Sequence, residues 1–145
     1  MEIGTIEREI FVEATPEIVY DVVSKPEHVS QWWPDEAHYE PSPGSTGEIS
    51  FGGNAVAFTV VEAQPPRTFT FRWTHPIGAE PVAGNSLLVT FELTPSGAGT
   101  LIRMSETGFR EMGWEAATLE EQYRDHVKGW DHFLPRIAPY AAQLR

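Results

Sequence analysis

The 145-residue sequence contains no cysteine, few basic residues and no long apolar run. Without cysteine there is no disulfide framework, no thiolate zinc site and no cysteine nucleophile, which fits a reducing cytoplasm. Ten Lys and Arg residues stand against 21 Asp and Glu, so the formal net charge is -11. This charge opposes the phosphate backbone, and we do not expect nucleic acid as a partner.

The absence of a long apolar run argues against two further classes of protein, those that span a membrane and those secreted with a signal peptide. No segment is long and apolar enough to cross a bilayer, and the first residues lack the basic and apolar regions of a signal peptide. We therefore expect a soluble, cytoplasmic protein without membrane insertion. Its length suits a single domain over residues 1–145.

The N-terminal quarter predicts one strand and two short helices. Residues 6–12 alternate apolar and polar side chains, as half-buried strands do. Thr15 can cap the first helix, and Pro16 suits its first position because the missing N–H would have no partner there. A break at Pro26 separates a second short helix over 27–32, which Pro34 ends.

The middle of the sequence is a series of strands separated by turn-forming residues rich in Gly, Pro and Asn. Together with the first strand they predict a six-stranded antiparallel sheet. Alternation places Phe69, Phe71 and Trp73 on one apolar face. The predicted strands cover 48–51, 55–63, 68–75, 86–94 and 100–109.

The last segment, from Trp114 to about Pro135, returns to a helical period. Apolar residues such as Leu119, Tyr123 and Val127 follow one another at intervals of three or four. A long amphipathic helix laid across a curved sheet would cover both apolar faces, giving an α+β architecture. Any gap between helix and sheet would be a cavity.

This order of elements resembles the helix-grip fold of the START-like superfamily, also called SRPBCC or birch-pollen-allergen-like. In detail the sequence is similar to small bacterial proteins related to the activator of heat-shock protein 90 ATPase. The residues that support the resemblance lie along nearly the whole chain, from about Ile6 to Ile137. They are 14–20, Pro26-Glu27-His28, Trp32-Trp33, Gly44, Gly47, Pro65-Pro66-Arg67, Phe71-Arg72-Trp73, Gly108-Phe109, His126 and Gly129-Trp130.

The resemblance implies several possible activities. Members of the superfamily bind lipids, sterols, polyketides or plant hormones, and some cyclise or dehydrate polyketides. The co-chaperone has an additional N-terminal domain that 145 residues cannot also hold, so we do not expect chaperone activation. Where the family often has His-x-Gly-Phe, this sequence has Glu106-Thr107-Gly108-Phe109.

Glu106 and His75 are the candidate catalytic residues. Glu106 follows Ile102 and Met104 on the inward face, where a carboxylate must find a partner; it is a candidate ligand anchor or general acid/base. Alternatively, Glu106 is a carboxylate at a strand end that either bonds to a nearby Arg, Trp or Tyr side chain or reaches solvent. By the same alternation His75 follows Trp73 on the inward face and could contact Glu106 for proton transfer. Alternatively, at the end of its strand before Pro76, it is exposed to water.

The remaining aromatic and imidazole side chains suggest no metal or cofactor. His126 and His132 are six residues apart, which points them in different directions on a helix. The tryptophans are either ligand contacts or core packing. We expect Trp32 or Trp33 to pack in the core, and Trp73 and Trp130 to border a cavity.

These observations favour a protein that binds a small hydrophobic molecule between the sheet and the C-terminal helix, as a monomer or homodimer. One alternative is a cyclase, dehydratase or hydrolase that uses Glu106 as acid or base. A second is a chaperone-associated interaction module that acts through its acidic surface. The predicted ligand-binding residues are Val56, Phe58, Phe71, Trp73, Val89, Phe91, Met104, Glu106, Tyr123, Val127 and Trp130.

Overall fold

A computed structural model describes residues 4–145. Its strands are β1 (Thr5–Val12), β2 (Glu36–His38), β3 (Thr46–Phe51), β4 (Asn54–Gln64), β5 (Thr68–Trp73), β6 (Leu87–Ser96) and β7 (Gly99–Thr107). Its α-helices are α1 (Pro16–Ser24), α2 (Pro26–Trp32), α3 (Ala116–Phe133) and α4 (Ile137–Ala142). The predicted α+β helix-grip architecture is confirmed.

The sheet has seven strands rather than the predicted six, all antiparallel, in the order β1-β7-β6-β5-β4-β3-β2. The additional strand is β2, which pairs with β3 at the edge of the sheet. Its three residues are too few to show the alternation that identifies a strand in a sequence. At the opposite edge the first strand pairs with the last, with Thr5 opposite Thr107.

The first two helices form as their sequences predict. The hydroxyl of Thr15 accepts a hydrogen bond from the Ile18 N–H at 3.3 Å, and Pro16 occupies the first turn. Lys25 is extended, as the residue before a proline usually is, and this separates α1 from α2. The indole N–H of Trp32 donates to the Val22 carbonyl at 2.9 Å, which holds the two helices together.

Helix α3 crosses the sheet and is attached to its edge strand by two polar contacts. The hydroxyl of Tyr123 donates to the Thr5 carbonyl at 3.1 Å. The guanidinium of Arg8 lies 2.8 Å from the Asp131 carboxylate. A 3₁₀ turn over Leu134–Arg136 then leads into α4, which the sequence did not predict.

Aromatic rings fill the interior between the first two helices and the centre of the sheet. Phe58 and Phe71 stack with centroids 4.2 Å apart, and Tyr39 stacks on Phe58 at 4.3 Å. The Tyr39 hydroxyl donates to the Ser24 carbonyl, so this buried polar group has a partner. Among residues 4–145, no helix is long and apolar enough to span a membrane.

Candidate functional site

Glu106 lies at the centre of the contact between sheet and helix α3, with its side chain 0% exposed. It follows Ile102 and Met104 on the inward face of β7, as the alternation predicts. A buried carboxylate is tolerated only where hydrogen bonds replace those it would make with water. The hydrogen-bond partners of Glu106 therefore decide whether its burial is tolerated.

Three side-chain nitrogens surround the Glu106 carboxylate. The indole N–H of Trp73 donates to Oε2 at 2.7 Å, and that of Trp130 donates to Oε1, also at 2.7 Å. The Nδ1 atom of His126 lies 2.9 Å from the same Oε1. Indoles can only donate, so both carboxylate oxygens act as acceptors here. These bonds connect β5 and β7 to α3.

The hydrogen bonds also fix the orientation of the His126 ring. With Oε1 accepting from Trp130, we assign the Nδ1 hydrogen of His126 as the second donor to that oxygen. In the neutral imidazole Nε2 then has the free lone pair. The rings of Trp73 and Phe109 pack against the imidazole, with centroids 5.3 and 5.4 Å away.

A cleft of about 300 Å³ opens beside this cluster, between α3 and the β3–β5 side of the sheet. Trp33, at the end of α2, lies in its wall with its ring centroid 4.9 Å from that of Trp130 and 5.0 Å from that of Trp73. Most of the lining is aromatic or aliphatic. It consists of Trp33, Phe51, Val56, Trp73, Thr74, Asp125, His126, Gly129, Trp130 and Phe133.

Thr74 gives the cleft wall an unusual backbone. Its φ is +69°, a left-handed conformation that is rare for a β-branched residue. Its hydroxyl oxygen is buried and makes no hydrogen bond to the described residues. This conformation also ends β5 and reverses the direction in which the next side chain points.

His75 consequently lies away from Glu106. Its Nε2 atom is 3.1 Å from the hydroxyl of Thr59. Thr59 is paired with Arg72, one step along from the inward pair of Phe58 and Trp73, so it belongs to the opposite face of the sheet. His75 is only 3% exposed, and this burial, together with the positive charge of Arg72, lowers its pKa.

The structure separates the predicted ligand-binding residues into groups. Three line the cleft, namely Val56, Trp73 and Trp130, and Glu106 lies behind the two indoles. Tyr123 and Val127 are half-buried on α3 and do not line the cleft. The remaining five are buried in the core: Phe58, Phe71, Val89, Phe91 and Met104.

Seven residues of the cleft lining are absent from the predicted ligand-binding set: Trp33, Phe51, Thr74, Asp125, His126, Gly129 and Phe133. From the sequence, His126 supports the family resemblance and is rejected as a metal ligand, but it also precedes Trp130 by four positions and therefore shares its helix face. Trp32 or Trp33 is predicted to pack in the core; both are buried, but Trp33 also lines the cleft. Gly129, next to Trp130, leaves open space where a side chain would be. Among residues 4–145, no group of three or more His, Cys, Asp or Glu could hold a metal ion.

Solved structures with this fold come from several bacteria. Protein MLL2253 from Mesorhizobium loti is 22% identical, with a TM-score of 0.79 over 97% of this chain and 98% of its own. The Aha1 dimer from Colwellia psychrerythraea is 21% identical, with a TM-score of 0.70 and 92% of each chain covered. These similarities show the fold.

A third similar structure is DynU16, a protein in the dynemicin biosynthetic locus. It is 23% identical with a TM-score of 0.69, and the match covers 94% of this chain but 46% of DynU16. No curated protein gives a significant sequence match. The model of the family described as activator of Hsp90 ATPase homolog 1-like protein matches residues 13–142. The chain therefore belongs to that family of activator of Hsp90 ATPase homolog 1-like proteins.

Proposed function

We propose that the protein binds a small hydrophobic molecule in the cleft between α3 and the sheet. The observation that supports this most directly is the cleft itself, with three indole rings in its wall beside a polar group, His126. Small-molecule sites are typically concave and apolar, with a few polar groups that fix the orientation of the ligand. The volume of about 300 Å³ suits a small ring system rather than a lipid or a sterol.

The packing of the walls supports a preformed site. The Trp73 and Trp130 indoles are each held by a 2.7 Å hydrogen bond to Glu106. Trp33 packs against both rings. Side chains fixed in this way lose little conformational freedom when a ligand binds, so binding costs less entropy.

Gly129 supports the same proposal from the helix side. A Cβ built at this position meets no atom within 4 Å, although glycine in a helix interior costs about 1 kcal/mol relative to alanine. The cleft extends over the backbone of α3 at this point. Filling this space is therefore a direct test of where a ligand binds.

The test is a titration with 4-nitroanisole, a neutral aromatic probe, followed by the indole N–H signals in proton–nitrogen NMR. We expect the signals of Trp33, Trp73 and Trp130 to shift, and those of Trp32 and Trp114 to stay in place. Binding that shifts all five signals equally, or none, would contradict the proposal.

A pair of variants locates the site. Gly129→Leu places a side chain in the cleft and should weaken binding about tenfold or more, which corresponds to at least about 1.4 kcal/mol. Ala117→Leu adds a side chain at an exposed position of the same helix, outside the cleft, and should leave the affinity unchanged. Equal effects of the two substitutions would place the probe elsewhere.

A further inference from the structure

The pair formed by Glu106 and His126 joins a fully buried carboxylate to an imidazole at the cleft wall. The two groups are 2.9 Å apart, and two indole N–H groups hold the carboxylate in position. With Nδ1 engaged by Glu106, Nε2 is the imidazole nitrogen left for another partner. It makes no hydrogen bond to the described residues, and the His126 side chain is 15% exposed.

We propose that His126 is the proton acceptor of the cleft, that Glu106 is its positioning residue, and that the ligand is a small aromatic molecule with an acidic hydroxyl group, such as a phenol or an enol. This rests on the ligand-binding function proposed above. The ligand O–H bond breaks and an N–H bond forms at Nε2. The resulting imidazolium faces the Glu106 carboxylate, which stabilises its charge.

A second polar group is available for the ligand oxygen. Thr74 lines the same cleft, and its hydroxyl oxygen, which lies buried beneath the surface, has no partner among residues 4–145. A buried hydroxyl without a hydrogen bond is costly, and a ligand oxygen that accepts from it would remove that cost. If the Thr74 side chain turns toward the cleft, the ligand oxygen that gives its proton to His126 also accepts a hydrogen bond from the Thr74 hydroxyl.

The charges around the cleft favour a ligand that arrives neutral. Two carboxylates face this region: Glu106 from β7, behind the indoles, and Asp125 from α3, exposed in the cleft lining. The chain as a whole has a formal charge of -11. Both effects repel a molecule that is already an anion in solution. A neutral hydroxyl compound brings no net charge to the cleft, and after the proton transfer the imidazolium of His126 offsets the repulsion between the oxyanion and the carboxylates.

The experiment compares 4-nitrophenol with 4-nitroanisole, which has a methyl group in place of the acidic hydrogen. The buffer is held below the pKa of free nitrophenol. We expect nitrophenol to bind about tenfold more tightly, as expected for one added hydrogen bond to a charged or strongly polar group. We also expect the visible band of nitrophenolate to appear on binding.

Variants separate the roles of the two residues. His126→Phe should abolish the band and reduce the affinity for nitrophenol to that for nitroanisole, whereas His132→Phe, at an exposed position of the same helix, should change neither. Glu106→Gln removes the negative charge and should lose the band, and the ratio of the nitrophenol affinity to the nitroanisole affinity should fall toward one. A merely structural role of Glu106 would weaken the binding of both probes alike and leave this ratio unchanged.

The possible results of these measurements test separate parts of the proposal. If nitroanisole and nitrophenol bind with equal affinity, or nitrophenol binds without its phenolate band, the proton-acceptor role is overturned while ligand binding stands. If the His126→Phe variant keeps the band, another group accepts the proton and the assignment to His126 is overturned. If neither probe binds, the ligand-binding function fails, and this inference fails with it.

Discussion

The Nδ1 atom of His126 and the Oε1 atom of Glu106 are 2.9 Å apart, and this contact joins helix α3 to β7, the last strand of the sheet in the sequence. The same carboxylate accepts the indole N–H groups of Trp73 and Trp130. A single buried side chain therefore connects two strands and a helix. A substitution at any of its hydrogen-bond partners should therefore lower the stability of the protein and alter the cleft.

Replacing Trp130 by Phe should lower the free energy of unfolding by about 2–4 kcal/mol, because a hydrogen bond to a buried carboxylate is lost and the smaller ring leaves a cavity. Urea unfolding followed by circular dichroism measures this change. Trp114→Phe is the matched control. Trp114 is half-buried, and its indole makes no hydrogen bond to the described residues, so the expected loss is about 1 kcal/mol or less. Equal losses in the two variants would contradict the importance of the Glu106 contact.

Gly129→Ala should stabilise the protein by about 0.5–1 kcal/mol, because alanine is the better helix former and its Cβ meets no atom within 4 Å. The added methyl group lies in the cleft, so the affinity for 4-nitroanisole should fall at the same time. Thermal unfolding and the NMR titration measure the two effects. A variant that is less stable than the parent protein would show that the space at Gly129 is not open.

Acidification should destabilise the protein through His75. Its pKa in the folded state lies below the ordinary value of 6.5, so the unfolded chain binds the proton more readily. The stability that His75 contributes is present above about pH 6.5 and is lost as the pH falls through its lower, folded-state pKa. Urea unfolding midpoints measured across this pH range should show the decline.

His75→Gln should reduce this dependence on pH, because the amide does not titrate and can still bond to the Thr59 hydroxyl. The matched control is His132→Gln, since His132 is exposed on α3. That variant should retain the slope of the parent protein. If both variants give the parent slope, another group accounts for the acid sensitivity.

Gly47→Ala should destabilise the protein by about 1–3 kcal/mol, the usual cost of forcing a methyl group into a packed site. A Cβ at Gly47 would collide with the His38 carbonyl oxygen and lie 2.8 Å from the Tyr39 Cβ. The edge strand β2 would have to move away, and hydrogen exchange of its amides should accelerate. Gly129→Ala adds the same methyl group in open space and is the control. Unchanged exchange in β2 would contradict the expected collision.

The fold could be predicted from the sequence where local signals repeat over many residues. The alternation in β5 correctly placed Phe69, Phe71 and Trp73 in the interior, and the spacing in α3 identified the long helix. Strand β2 could not be recognised because its pairing with β3, rather than its own three residues, defines it. Helix α4 was missed for a related reason. It contains Pro139 and is held by contacts from elsewhere, such as that of Tyr140 with His28 at 2.7 Å.

Only part of the candidate site could be predicted from the sequence. Alternation correctly placed Glu106 facing inward, and a tryptophan was among the partners considered for it. The same alternation predicts that His75 also faces inward, and this is wrong because the positive φ of Thr74 reverses the side-chain direction. The partnership of Glu106 with His126 depends on how the helix lies on the sheet. That placement is set by packing across the whole domain, which no local spacing reveals.

The pairing of β1 with β7 also affects the order of events during synthesis on the ribosome. Thr5 meets Thr107 and Val12 meets Thr100, so the first strand is made long before its partner exists. Contacts so distant in sequence form slowly because a long loop must close. Until β7 emerges, the apolar side chains of β1 have no neighbouring strand. The nascent chain can therefore complete its sheet only after the residues up to Thr107 have been translated.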